Sequence, residues 1–233
     1  MFLEIDDARL HVVSFGAGRR TFVAHGRWTG SWELWEPPFE ALSCSMRCVA
    51  WDHRGTGATV APVASISPAR LVADLFAVLD RRGIDRCVRA GESLGAVVAL
   101  LAAAERPERF EGLVLVSGAP MVTPESTGAL VAGARANYPA TARAFVDACV
   151  PEPDSEHIRR WGRQILARAE PEAAARLFET AWGVIPDLSR VCCPTLLLHG
   201  EADVIVPVGV ARMLASALPN ATLHVRKRPA IPS

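Results

Sequence analysis

The sequence predicts an α/β fold: a mostly parallel central sheet interrupted by a helical insertion. Three observations predict it. Short apolar, strand-like runs alternate with helical stretches, the pattern of successive βαβ units. Some runs, such as Leu113 to Val116, are apolar at every position, as strands buried on both faces are. Between about Met121 and Asp187 the strand signal gives way to Ala- and Arg-rich helical stretches, punctuated by Pro139, Pro151, Pro153, Pro171 and Pro186.

The elements follow in order. The start of the chain reads as two short strands around an Asp6-Asp7 turn, the second running from Leu10 to Phe15. Thr21 to Ala24 is an apolar strand that ends at His25-Gly26. Trp32 to Leu42 reads as a helix whose start is restricted by Pro37-Pro38, and Met46 to Trp51 as the next strand. Ser67 is placed to cap a helix that has Pro68 in its first turn. Its apolar face is Leu71, Leu75, Val78 and Leu79, and Gly83 ends it. Cys87 to Ala90 is a strand, Ser93 to Ala104 an apolar helix, and Gly112 to Val116 a strand. After the insertion come a strand from Pro194 to His199, a helix from Val208 to Leu218 and a strand from Thr222 to Val225. A length of 233 residues suits one domain with an insertion. Residues 1–120 and 188–233 make the α/β core, and 121–187 make a helical cap or lid.

Composition narrows the function. Formal net charge is zero and the basic residues are scattered, so neither nucleic acid nor an acidic membrane surface is an expected partner. The longest apolar stretch, Ala96 to Ala104, is far shorter than the ~20 residues that span a bilayer. The N-terminus does not pattern as a signal peptide. A cytoplasmic protein is expected, with its six cysteines as buried, reduced thiols. No metal site or cofactor is implied. A small-molecule substrate or ligand is the expected partner, and association with copies of itself stays open.

Chemistry concentrates in four places. Gly91-Glu92-Ser93-Leu94-Gly95 is a G-x-S-x-G run between a strand and a helix, the context in which such a run presents a nucleophile on a sharp turn. Ser93 is the candidate nucleophile, and the helix that follows favours developing negative charge at its N-terminus. His25-Gly26-Arg27-Trp28 can aim a backbone N–H, that of Arg27 or alternatively that of Trp28, at an oxyanion, with the Leu94 N–H as its partner. His25 itself reads as a loop-ordering residue that makes hydrogen bonds. Asp52-His53-Arg54-Gly55-Thr56-Gly57 reads as a turn held by an Asp–Arg interaction, with glycines where φ is unusual. Asp203, after the strand ending at His199, is the candidate acid that would orient a histidine, with Glu201 as the neighbouring carboxylate. Trp28 is a candidate pocket residue, although core packing is the commoner role for such a tryptophan.

On these residues the chain resembles the α/β-hydrolase superfamily, in particular its small bacterial esterases and enol-lactonase-like members. The resemblance rests on His25-Gly26, Trp51 to Gly57, Gly91 to Gly95 and His199 to Asp203, and covers Met1 to about Val225. It implies a serine hydrolase acting on an ester, lactone or thioester through an acyl-enzyme on Ser93. One departure weakens that expectation. The resemblance places the catalytic histidine in a Gly-His pair after the last strand, yet here Ala230 occupies that position and the family's closing helix is missing. His224, on the strand itself, is the nearest alternative. The C-terminal end reads as truncated, altered or natural. The chain has a single lysine, Lys227, and it falls in this tail; the other basic residues are arginines. One back-translation of residues 226–231, read from its third base, gives Glu-Ala-Ala-Gly-His, which motivates the frameshift reading. A pseudoenzyme that binds without hydrolysing is the second class of function. A cofactor-free oxygenase or haloperoxidase-like enzyme is the third.

Overall fold

The computed structural model describes residues 1–227. Two short strands open the chain, β1 (Phe2–Ile5) and β2 (Ala8–Phe15), paired antiparallel across the Asp6-Asp7 turn. β3 (Thr21–His25) leads through a 3-10 turn at Trp32–Trp35 into α1 (Glu36–Leu42) and β4 (Arg47–Trp51). Then follow α2 (Pro68–Arg81), β5 (Cys87–Glu92), α3 (Leu94–Glu105) and β6 (Phe110–Val116). The insertion carries α4 (Pro124–Cys149), α5 (Glu156–Leu166) and α6 (Pro171–Glu179). β7 (Thr195–Gly200), α7 (Val208–Ala217) and β8 (Ala221–Arg226) complete the described chain.

The strands form one sheet in the order β1-β2-β4-β3-β5-β6-β7-β8. Every pairing from β4 to β8 is parallel, and β2 meets both β1 and β4 antiparallel. Parallel neighbours need crossovers, and helices supply them. The register is continuous across the insertion. Leu113 pairs with Thr195 and Val116 with Leu198, so the chain leaves the sheet after β6 and returns beside it at β7.

Alternation along the strands sorts the core into two layers. Val23, Val49, Leu113, Leu115 and Leu197 join the buried faces of α2, α3 and α7. α2 forms where expected, with the Ser67 side chain accepting from the Arg70 N–H and Pro68 in the first turn. α3 is buried nearly all round, which its Ala- and Val-rich sequence permits because small side chains let it lie close to the sheet. On the opposite face Phe22, Ala24, Cys48 and Ala50 pack against Trp35 and Phe39. That layer reaches only part of the sheet. Val114 and Val116 are half-buried, and Leu196, in register with Val114, is 37 % exposed. The expectation that Leu113 to Val116 would be covered on both faces is therefore met fully on one face and only in part on the other among the described residues.

The Asp52 turn is built differently from the expected Asp–Arg contact. Asp52 accepts from the Trp32 and Ala58 amides, each at 2.9 Å, and from His11 Nδ1 at 3.0 Å. Arg54 instead grips Asp74 of α2, with Nε at 2.7 Å and Nη2 at 3.0 Å, and reaches Asp7 at 2.7 Å. The glycine expectation holds: Gly57 has φ +52°, and a Cβ there would stand 2.1 Å from Asp52 Oδ2. The thiol expectation holds in part. All six cysteines are free, but Cys44 and Cys192 are exposed and Cys149 and Cys193 are half-buried. No helix among the described residues is long and apolar enough to cross a membrane.

Candidate active site

Ser93 sits between the end of β5 and the start of α3 with φ 53° and ψ −116°, a left-handed conformation that costs a non-glycine residue energy. The neighbouring strand pins it, because the Ser93 N–H donates to Val116 O at 3.0 Å. Flanking glycines make the turn sterically feasible. A Cβ on Gly91 would stand 2.2 Å from Gly95 O, and one on Gly95 would stand 2.7 Å from both His25 O and Gly26 O. The first turn of α3 is thus pressed against the loop that follows β3. That loop carries Arg27. Neither the Arg27 nor the Leu94 backbone N–H has a protein partner among the described residues.

The Arg27 side chain ties the loop to the elbow through Glu92, the residue before Ser93, at 3.0 Å. Burial works against the guanidinium's charge, but Glu92 and then Cys149 outweigh it and raise its proton affinity above the ordinary arginine value. Burial also pushes the Cys149 thiol up to about 11, so it is a neutral thiol at physiological pH.

Asp203 lies in the loop after β7. Its Oδ1 accepts from the Ile205 and Val206 amides, each at 2.9 Å, which fixes the carboxylate's orientation. His199 backs this loop: its Nε2 donates to Val206 O at 2.6 Å and lies 3.6 Å from Asp203 Oδ2. His199 belongs to the segment that carries the resemblance, but a histidine ending an apolar strand gives no signal in the sequence of what it touches.

Ser93, Arg27, Glu92 and Asp203 all line one cleft of about 720 Å³. Ser117, which has φ 44° at the end of β6, lines it too, as does Glu201. The far wall comes from the insertion, from Phe145 and Cys149 at the end of α4 to Ile158 in α5. Trp28 does not line it. The expectation of a pocket tryptophan is corrected: Trp28 is fully buried, stacked on Phe178 at 5.3 Å and edge-on to Phe145 and Tyr138. Its indole N–H donates to Ala174 O at 2.7 Å, so it anchors the insertion to the core.

The histidines are the decisive census. His11 is paired with Asp52, and His53 Nε2 donates to Trp28 O at 2.9 Å. His157 lies on exposed α5 surface and His224 on exposed β8 surface. His25 is stacked on Trp51 and has no hydrogen-bond partner at either nitrogen, which corrects the expected loop-ordering bonds. With His199 turned to Val206 O, none of the six histidines lines the cleft. The Ala230 position lies outside the described residues.

A parallel sheet crossed by helices, with a serine on a strained strand-to-helix turn at its strand ends, defines an α/β hydrolase. The profile of the family described as serine aminopeptidase, S33, matches residues 20–229, and the chain belongs to this hydrolase family. A Klebsiella pneumoniae (strain 342) protein, "Putative carbamate hydrolase RutD", is 30% identical over 206 residues, covering 82% of this chain and 76% of its own. The protein of the same description from Pseudomonas syringae pv. syringae (strain B728a) is 31% identical over 216 residues, covering 87% and 83%. Among solved structures, the enol-lactonase from Burkholderia xenovorans LB400 superposes with a TM-score of 0.88 at 22% identity, covering 97% of this chain and 91% of its own. A hydrolase from Pseudomonas aeruginosa PA01 gives 0.87 at 25% identity, covering 97% and 89%.

Proposed function

We propose that the cleft is built for acyl transfer from a carboxylic ester, lactone, thioester or carbamate, with Ser93 as nucleophile, and that this polypeptide turns over poorly. The observation that carries the first half is the Ser93 backbone, held at φ 53° where two pinned elements meet at the cleft. In the proposed reaction Ser93 Oγ attacks the substrate carbonyl, and the oxyanion is received by the N–H groups of Leu94 and Arg27. The intermediate collapses with cleavage of the bond to the alcohol, thiol or amine leaving group, which departs with a proton that solvent relays from Ser93; water then hydrolyses the acyl-enzyme and restores the Ser93 hydroxyl. Asp203, already oriented by two amides, is the carboxylate that would hold an imidazole in the right tautomer. The named relatives add carbamate to the substrate classes worth testing; the choice among them belongs to the wall supplied by the insertion.

The second half rests on the histidines. With none at the cleft among the described residues, Ser93 lacks a base to take its proton, and most of the triad's contribution is lost. Slow background turnover from the oxyanion donors is what remains. The same observation favours a second reading, a ligand-binding protein on the hydrolase fold.

The test pairs fluorophosphonate labelling of Ser93 with p-nitrophenyl acetate turnover, each compared with Ser93→Ala. Weak labelling and turnover near the buffer rate are expected. Robust turnover that Ser93→Ala abolishes would overturn the impairment. Tight binding of an ester or carbamate without turnover would select the ligand-binding reading.

A further inference from the structure

Behind the loop that carries Arg27, three cation-forming side chains are buried together. Arg89 projects from β5 and is 0 % exposed; His25 at the end of β3 and His53 after β4 are each 1 % exposed. Trp51 joins them: its ring lies 5.5 Å from the Arg89 guanidinium carbon and is stacked on His25 at 5.2 Å. His25 meets His53 edge-on at 4.6 Å.

The hydrogen-bond inventory of this cluster does not close. Arg89 uses only Nη1, donating to the carbonyls of Val23 and Ala90. Its Nε and Nη2, both nitrogens of His25, and His53 Nδ1 are buried without partners. Native interiors rarely leave such groups unmet, least of all around a charge. Elsewhere in this chain the Nε–Nη2 edge of a guanidinium is the edge that grips a carboxylate: Arg54 holds Asp74 this way, and Arg135 holds Glu172. On Arg89 neither atom of that two-pronged edge has a partner, and no carboxylate pairs with it, among the described residues. Burial lowers its proton affinity to about 9, which still leaves it cationic at neutral pH.

We propose that the Arg89 Nε–Nη2 edge, in the buried cluster that His25 shares through Trp51, is a buried binding site for a small monovalent anion of chloride size. An anion answers both deficits: it accepts from the free N–H groups and balances a charge that has no counter-ion. Water meets only the first. Its place in the fold gives it a task. β5 runs from Arg89 to the elbow at Ser93, His25 begins the loop bearing Arg27, and His53 holds Trp28 O of that loop. The anion is a structural ion that fixes the base on which the cleft is built. The assignment stands whether or not Ser93 turns substrate over.

The test is thermal unfolding of the full chain at constant ionic strength while chloride replaces gluconate, which is too large for a sealed site. A saturable rise in Tm of about 5 °C or more is expected. Bromide should appear by anomalous scattering within hydrogen-bond distance of Arg89 Nε and Nη2, and Arg89→Met should abolish the chloride dependence. If Arg89→Met does not fold, the bromide map of the unmodified protein decides. A Tm indifferent to the anion, with ordered water in place of bromide, would overturn the proposal.

Discussion

Gly95 lies so close to His25 that a Cβ on it would stand 2.7 Å from the His25 carbonyl oxygen. Backbone meets backbone here, with no flexible side chain to give way. Gly95→Ala is therefore expected to push α3 away from the loop after β3, at a cost of roughly 1–3 kcal/mol. A urea titration reads it. An unchanged midpoint would mean that the two elements are not in fixed contact.

The buried imidazoles make stability depend on pH. Burial lowers the His53 proton affinity to about 4, against the bond to Trp28 O that works to raise it, and His25 is driven well below its ordinary value by burial, His53 and Arg89. The sign follows. Above pH 6.5 the ring is neutral in both folded and unfolded chains, and the full stability is present. As pH falls from 6.5 towards 4, the unfolded chain takes up a proton that the folded one refuses, and stability declines. For His53 the loss across that window is about 3 kcal/mol, and His25 acts in the same direction. Unfolding free energies at pH 7.5, 5.5 and 4.5 should fall accordingly, and His53→Asn should flatten the slope. A profile that the substitution leaves unaltered would refute the assignment.

Arg54 and Asp74 are both nearly inaccessible, at 0 % and 1 % side-chain exposure, and are joined by two bonds. Burial raises the Asp74 proton affinity despite the guanidinium beside it, so its negative charge depends on that partner. Removing Asp74 leaves the buried guanidinium with Asp7 as its one charged partner and its Nε–Nη2 edge unmet. Asp74→Ala is expected to cost about 3–5 kcal/mol, whereas a paired Arg54→Met, Asp74→Leu replacement should cost much less. Equal losses in both variants, measured by chemical denaturation, would mean the pair does not act as a unit.

Ser93 separates strain from chemistry. Ser93→Ala removes the hydroxyl but keeps a Cβ at the positive φ, while Ser93→Gly removes the hydroxyl and the Cβ that makes that φ costly. The glycine variant should be the more stable by about 1–3 kcal/mol, a difference of several degrees in Tm. Neither should label with a fluorophosphonate. Identical melting temperatures would show that the elbow is not strained.

Much of this architecture is legible in the chain because its determinants are local. The elbow needs a strand, two glycines and a helix within a few residues, so Gly91 to Gly95 announces it. Strand alternation and the Ser67–Pro68 helix start are equally short-range. What stays hidden depends on distant partners. Arg54 sits two residues from Asp52, but its carboxylates are Asp74 and Asp7, at sequence separations of 20 and 47. Trp28 looks like a loop tryptophan until α4 and α6 fold over it. Arg89 interrupts an apolar strand, and nothing in its neighbours reveals that His25 and His53 converge on the same buried space.

The insertion enters and leaves between two strands that pair directly, and Trp28 is the core residue on which its helices sit. In evolutionary terms, the cleft's far wall can be exchanged without disturbing the order in which the sheet assembles. Any replacement must bring its own socket for one indole. Descent can therefore redesign what this scaffold recognises while leaving intact the machinery beneath it.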